Sequence, residues 1–180
     1  MNPELTMIFK ALDFAACKHR DQRRKDHHST PYINHPIAVA RILVEEGNVT
    51  DEVTLAAAIL HDTIEDTETS FAELVDGFGL EIADVVQEVT DDKSLEKAER
   101  KSQQVEKAPR LSERAKLVKL ADKTCNLRDI VSAPPKGWGE ERKSQYFQWA
   151  DDVVMAMGVV NSPMFAVFKK ARAARGKGGV

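Results

Sequence analysis

Leu55-Ala56-Ala57-Ala58-Ile59-Leu60-His61-Asp62-Thr63-Ile64-Glu65-Asp66 is the stretch whose reading decides the fold. Its first half is apolar on every side, which places a helix in a protein interior. The helix is expected to start at Thr50-Asp51 and to run on into His61. On a helix turning about 100° per residue, His61, Glu65, Asp62 and Asp66 fall in that angular order within roughly 140° of arc. His61 then lies over Glu65, and Asp62 over Asp66. Like charges on one face repel, and buried carboxylates need a partner or a metal. Read alone, the pattern equally fits a helix that surfaces at His61 and turns its acids to solvent.

Helical periodicity continues on both sides. Leu5, Ile8, Phe9, Leu12 and Ala16 recur at three and four, predicting a helix over Pro3–His19. After a polar stretch, Pro36 suits a first helical turn, Ile37, Ala40, Arg41 and Val44 continue it, and Gly47 is read as its C-terminal cap. Downstream, Ser70-Phe71-Ala72-Glu73 has capping-box spacing before a short helix broken at Phe78-Gly79. Further helices are expected with Ile82–Val89, over Leu95–Lys107, from Ser112 to Val131, over Glu140–Val160 and from Ser162-Pro163 onward. No alternating strand, internal repeat or linker interrupts the series. The expectation is an all-α helical bundle, one domain over residues 1–175, with Gly176–Val180 a disordered tail.

A chain of 180 residues is long enough to bury a core without disulfides or structural metals. Its net charge of −3 disfavours a general binder of long nucleic acid, yet leaves room for a small anion at a local basic cluster. Cys17 and Cys125 are too few for a disulfide framework. The N-terminus lacks the pattern of a secretory leader, and no apolar run is long enough to span a membrane. A cytoplasmic protein is expected.

Three further clusters carry chemistry. Asp122 and Asn126 lie one turn apart on an amphipathic helix whose apolar side holds Ala121 and Cys125. By itself Asp122 fits a surface acid balanced by Lys119 and Lys123. His35 opens a helix, where a capping or core histidine is the ordinary reading. Taken with His61 and its neighbouring acid, the set offers two imidazoles and two carboxylates. That mixed nitrogen and oxygen donor set suits Mn²⁺ or Fe²⁺, with Zn²⁺ also accommodated and no thiolate on offer. Arg20, Arg23, Arg24 and Lys25 form the basic cluster, able to clamp phosphates or simply to be solvated. His27 and His28 beside it are poorly disposed to converge on one ion.

The order His35, His61-Asp62, Asp122 resembles the HD-domain phosphohydrolases. Pro31-Tyr32-Ile33-Asn34-His35-Pro36 together with Leu60-His61-Asp62-Thr63-Ile64-Glu65-Asp66-Thr67 narrows the likeness to the hydrolase domain of the RelA/SpoT alarmone enzymes. Val89-Thr90-Asp91-Asp92-Lys93, Lys119 to Lys123, Asn126-Leu127-Arg128-Asp129 and Gly137-Trp138 add to it, and the likeness spans Leu5 to Val160. The stand-alone small alarmone hydrolases are the most similar branch.

The resemblance implies an HD bundle with a single buried metal site, one Mn²⁺ held by His35, His61, Asp62 and Asp122. It implies Glu65 and Asp66 as the pair that activates water. Arg24 and Lys25 match a basic loop at the nucleotide, Asn126 and Tyr146 positions facing sugar and phosphates, and Lys97, Trp138 and Arg142 further substrate contacts. The implied activity is 3′-pyrophosphohydrolysis of (p)ppGpp-like nucleotides in the stringent response. The chain has no room for the synthetase and regulatory domains of longer members, so it is expected to degrade alarmones and make none. Asp26-His27-His28-Ser29-Thr30 lacks the glycine usual in that loop, and Thr124-Cys125 replaces a bulkier pair. These departures bear on base preference and keep adenosine alarmones as an alternative, beside removal of the 2′-phosphate of NADPH; a nucleotide-binding sensor without catalysis is a third reading, against which the intact Glu65-Asp66 pair argues.

Overall fold

The computed structural model describes residues 3–175, and among these the regular structure is helical. The helices are α1 (Pro3–Lys18), α2 (Asn34–Glu45), α3 (Glu52–Leu60), α4 (Thr63–Asp66), α5 (Phe71–Phe78), α6 (Leu80–Val89), α7 (Lys97–Lys107), α8 (Glu113–Ser132), α9 (Glu140–Met157) and α10 (Ser162–Ala173). A 3₁₀ turn, Ala108–Arg110, joins α7 to α8. The tail expected to be disordered lies outside the described residues. No helix among the described residues is long and apolar enough to cross a membrane.

Helix α3 is the hub that its apolar run predicts. It is buried at Val53, Thr54 and from Ala56 to Leu60, and packs against α1, α2, α6 and α8. Its start is fixed by Asp51, whose carboxylate accepts the Thr54 N–H at 3.0 Å and the Arg114 guanidinium at 2.9 Å. Ser70 and Ser112 cap α5 and α8 by accepting the N–H of Glu73 at 3.1 Å and of Ala115 at 3.2 Å. Each such cap stabilises its helix by about 1 kcal/mol. The Glu73 side chain turns to Lys18 at 2.7 Å instead of completing a capping box.

Besides shifts of one or two residues at other helix ends, three boundaries differ from the sequence expectation. Helix α3 does not carry His61 through to Asp66: it ends at Leu60. The Thr63 hydroxyl donates to the Leu60 carbonyl at 2.7 Å and His61 Nδ1 meets the Ala58 carbonyl at 2.8 Å, so side chains occupy the helix's last acceptors. Asp62 takes φ −100°, ψ 1°, the bridge region frequented by active-site residues, and the one-turn helix α4 follows from Thr63. The single arc of four polar side chains is therefore broken into an inward pair and an acid pair. Second, Gly47 is not the left-handed residue after α2; Asn48 is, at φ 54°. A Cβ on Gly47 would stand 2.6 Å from the Met164 side chain and 2.8 Å from the Leu43 carbonyl, so the glycine is there to let α10 approach. Third, α9 stops at Met157, where Gly158 turns to φ 73°, short of Val160.

Helix α8 is enclosed by α2, α3, α6, α9 and α10. Its polar residues Lys119, Asp122, Lys123 and Thr124 are consequently buried. Lys119 and Lys123 are not the solvated counter-charges that local sequence allowed. They line the wall of a cleft.

Candidate active site

His35 sits in the first turn of α2, His61 at the end of α3, Asp62 one residue on, and Asp122 in the middle of α8. His61 Nε2 lies 3.0 Å from Asp62 Oδ2, and His35 Nε2 lies 3.2 Å from Asp122 Oδ1. The crossed pairs, His35 to Asp62 and His61 to Asp122, are each 4.0 Å apart. Donor atoms of His35, His61 and Asp62 all fall within 4.8 Å of one another. The structure thus brings together all four residues that the sequence singles out as ligands.

The donor chemistry fits a cation. The Ala58 carbonyl can only accept, so His61 Nδ1 carries the proton and a neutral ring presents a bare Nε2. That Nε2 is buried and makes no well-directed hydrogen bond, its 3.0 Å approach to Asp62 Oδ2 being a charge contact, which is the posture of a histidine ligand oriented from behind. Burial works against charge on His61, but the Asp62 and Asp122 carboxylates outweigh it and raise the imidazole to about 9. Burial likewise opposes ionisation of Asp62, yet His61 and then His35 hold it well below the usual carboxylate range. Asp122 is depressed against its own burial by Lys123 and His35. Ring protons here offset carboxylate charge that a divalent cation would otherwise offset.

Glu65 and Asp66, one turn beyond, have different surroundings. Glu65 Oε2 accepts the Asp91 N–H at 3.1 Å. Burial is the main influence on Glu65 and, with the Asp91 and Asp62 charges, lifts it to about 7 despite that N–H. Asp66 is held at both oxygens, by Gln22 Nε2 at 3.0 Å and by the Lys93 ammonium. Tyr32 donates to Asp62 Oδ2 at 2.5 Å.

These groups form one end of a cavity of about 870 Å³. Arg24, Lys97, Arg100, Lys101, Lys119, Lys123 and Arg142 bring cations to its walls, and Tyr32, Trp138, Tyr146 and Trp149 bring aromatic faces. Lys123 lies over the Trp149 ring at 4.2 Å and Arg142 over Trp138 at 4.5 Å. Trp138, Tyr146 and Trp149 follow one another at centroid spacings of 5.7 and 5.2 Å. An acidic chain has placed these basic side chains in one cleft beside the carboxylates of Asp62, Glu65, Asp66, Asp91, Asp122 and Glu141, a local supply of the positive charge that a polyanionic ligand requires.

The remaining expected contacts divide. Asn126 reaches the cluster, its Nδ2 donating to Asp122 Oδ1 at 2.5 Å. Arg24 points inward and donates to Asn126 at 3.1 Å and to Asp129 at 2.6 Å. Lys25, its neighbour, is exposed and lines an adjoining cavity of about 560 Å³ rather than the metal end. Lys97 and Arg142 are exposed cleft residues, and His27 and His28 are exposed. Sequence reading gave no separate role to Tyr32, Gln22, Lys93, Lys101 or Trp149. A usable signal was present for Lys119 and Lys123, which fall at helical spacing on the same stripe as Asp122 and Asn126.

The chain matches the family model described as HD domain over residues 11–147. It is 54% identical over 162 residues, 90% of each chain, to a Xenopus tropicalis protein named guanosine-3′,5′-bis(diphosphate) 3′-pyrophosphohydrolase MESH1. The Homo sapiens protein of the same name is 52% identical over 176 residues, 98% of each chain. A solved structure, described as a metazoan ortholog of SpoT that hydrolyzes ppGpp and plays a role in starvation responses, matches with a TM-score of 0.91. That match has 49% identity and covers 94% of this chain and 96% of the other.

Proposed function

The chain belongs to the HD-domain family and, within it, to the MESH1-type hydrolases, and from that premise we propose that it is a ppGpp 3′-pyrophosphohydrolase. The observation that carries the reading is the cleft itself: a two-histidine, two-aspartate cluster at the end of a cavity walled by cations and aromatic rings. Cations match the two diphosphates of such a nucleotide, and aromatic faces match its base.

In this reading His35, His61, Asp62 and Asp122 would hold one divalent ion, Mn²⁺ as the resemblance implies, in a donor set of imidazoles and carboxylates that also accommodates Fe²⁺ or Zn²⁺. When bound, the ion supplies Lewis-acid polarisation of water and phosphoryl oxygen. Glu65 accepts the proton of the attacking water, since its raised pKa suits a base working near neutrality. Asp66, tied to Gln22 and Lys93, orients that end of the site. Arg24, Asn126, Trp138 and Tyr146 take the nucleotide, and Lys97, Arg142 and the loop lysine Lys25 add charge around it. Water attacks the phosphorus next to the ribose 3′-oxygen, the bond to that oxygen breaks, and the proton removed from water balances the one the 3′-oxygen gains.

Residues 1–175 act as one hydrolase domain, supported by a single core that joins α1 to α10. The free thiols Cys17 and Cys125 suit a reducing, cytoplasmic setting.

The test is a short incubation of purified protein with Mn²⁺ and ppGpp, pppGpp, ppApp, NADPH, GTP or GDP, without added pyrophosphatase. ppGpp is expected to yield GDP and intact pyrophosphate, and GTP and GDP, lacking the 3′-diphosphate, are expected to be inert. Orthophosphate as the sole inorganic product, or comparable turnover of GTP, refutes the reading.

A further inference from the structure

Two buried polar atoms on α7 have no hydrogen-bond partner: Nε of Arg100 and Oε1 of Gln104. They lie one helical turn apart, and both side chains line the cleft beside Lys97 and Lys101. Helix α7 has no fully buried residue; Val105 packs partly buried against the core and Lys101 lies over the Trp149 ring at 4.7 Å. Two hydrogen bonds add to that packing. Trp149 Nε1 donates to the Lys101 carbonyl at 3.1 Å, and Gln104 Nε2 donates to Asp91 Oδ2 at 2.5 Å.

Asp91 lies two residues beyond the end of α6, in the loop that backs Glu65. Its own backbone N–H is the donor to Glu65 Oε2, at 3.1 Å. Lys119 steadies the same loop from α8, donating to the Val89 carbonyl at 2.8 Å. The direction of the Glu65 carboxyl is thus set by the backbone N–H of Asp91, and the Asp91 side-chain carboxylate is held by an amide on the helix that carries Lys97, Arg100 and Lys101 into the cleft.

We propose that Gln104 is a positioning residue for the hydrolysis, aligning the Glu65 carboxyl through Asp91 from the same helix whose cations meet the substrate phosphates. This rests on Glu65 being the proton acceptor. Gln104 contacts neither the metal cluster nor Glu65 directly, so its loss leaves metal binding intact and misaligns one carboxyl.

The experiment compares Gln104→Leu, Glu65→Gln and the double variant in the full chain with Mn²⁺ and ppGpp. Gln104→Leu is expected to lower kcat about 10–100-fold, the cost of a misaligned group, with metal content unchanged and Tm lowered by no more than a few degrees. KM is expected to stay within about twofold, because the lost interaction matters only in the transition state. Gln104→Glu keeps the shape but cannot donate to Asp91, and it loses kcat likewise. In the Glu65→Gln background Gln104→Leu adds no further loss, since the carboxyl it aligns is gone. Wild-type kcat in Gln104→Leu, a loss confined to KM, or losses that multiply in the double variant overturn the proposal while leaving Glu65 as the base. Wild-type kcat in Glu65→Gln overturns the base assignment itself, and the positioning role with it.

Discussion

Tyr32→Phe removes a single oxygen from the site and isolates what orients Asp62. The phenol donates to Asp62 Oδ2 at 2.5 Å, a short bond to a charged acceptor. Burial and the charges of Asp62 and Asp66 push the phenol far above its ordinary range, so it remains a donor at any working pH. The substitution keeps the ring, which packs on His19 at 4.9 Å between centroids and beneath the Arg24 guanidinium at 5.7 Å. Packing is therefore unchanged, and the effect reads the hydrogen bond alone. A bond to a charged group contributes about 1.5–3 kcal/mol. At about 1.4 kcal/mol per decade, that corresponds to roughly 10–150-fold. Without the phenol, Asp62 keeps His61 at 3.0 Å and, more distantly, His35 at 4.0 Å. Freeing Oδ2 also adds negative charge for a cation, but loss of an orienting partner wins, typically costing about 10–100-fold in metal affinity. The assay is titration of apo protein with Mn²⁺ followed by calorimetry, with Tm measured beside it. Affinity within about twofold of wild type, with Tm unchanged, refutes the role given to Tyr32.

For Glu65, raised to about 7 chiefly by burial, kcat/KM is expected to rise with pH as the carboxyl ionises, and Glu65→Gln should lose both that limb and kcat. The folded, metal-free protein keeps a proton on Glu65 from about 4.5 up to about 7 while the unfolded chain has released it, so stability falls as pH rises through that window. The Tm advantage of Glu65→Gln should accordingly grow from acid to neutral pH and then level off; a constant difference across that range contradicts the shift. Asp62→Ala should lose metal and activity together in a folded protein, as atomic absorption and circular dichroism would report, and full metal content would remove Asp62 from the ligand set. Arg24→Ala should raise KM more than Lys25→Ala, because Arg24 points into the cleft and Lys25 is exposed; equal effects, or a larger one from Lys25, would contradict that geometry.

The helices and the ligand types were legible in the sequence because both are written locally. A period near 3.6 marks the buried stripe of each helix, caps such as Ser70, Ser112 and Asp51 mark starts, and an all-apolar run marks α3 as central. His35, His61-Asp62 and Asp122 could be singled out because two imidazoles and two carboxylates in an apolar setting have few other uses. Where prediction failed, the cause was a contact from outside the helix, a side chain competing with its backbone or, at the end of α9, the turn of Gly158 to φ 73°. Gly47 is dictated by Met164 on α10, and the end of α3 by the Thr63 hydroxyl and the His61 ring.

What only the tertiary structure decided is how the acids are divided and who holds them. Glu65 and Asp66 look equivalent as neighbours in sequence, yet the break at Asp62 turns one to the Asp91 loop and the other between Gln22 and Lys93. Gln22 meets Asp66 across 44 residues and Tyr32 meets Asp62 across 30. Lys119 and Lys123 become buried cleft cations only because five helices close around α8. Periodicity states which face of a helix is covered but not what covers it. Hydrogen bonds demand a particular partner at a particular angle, and that partner comes from another element of the fold.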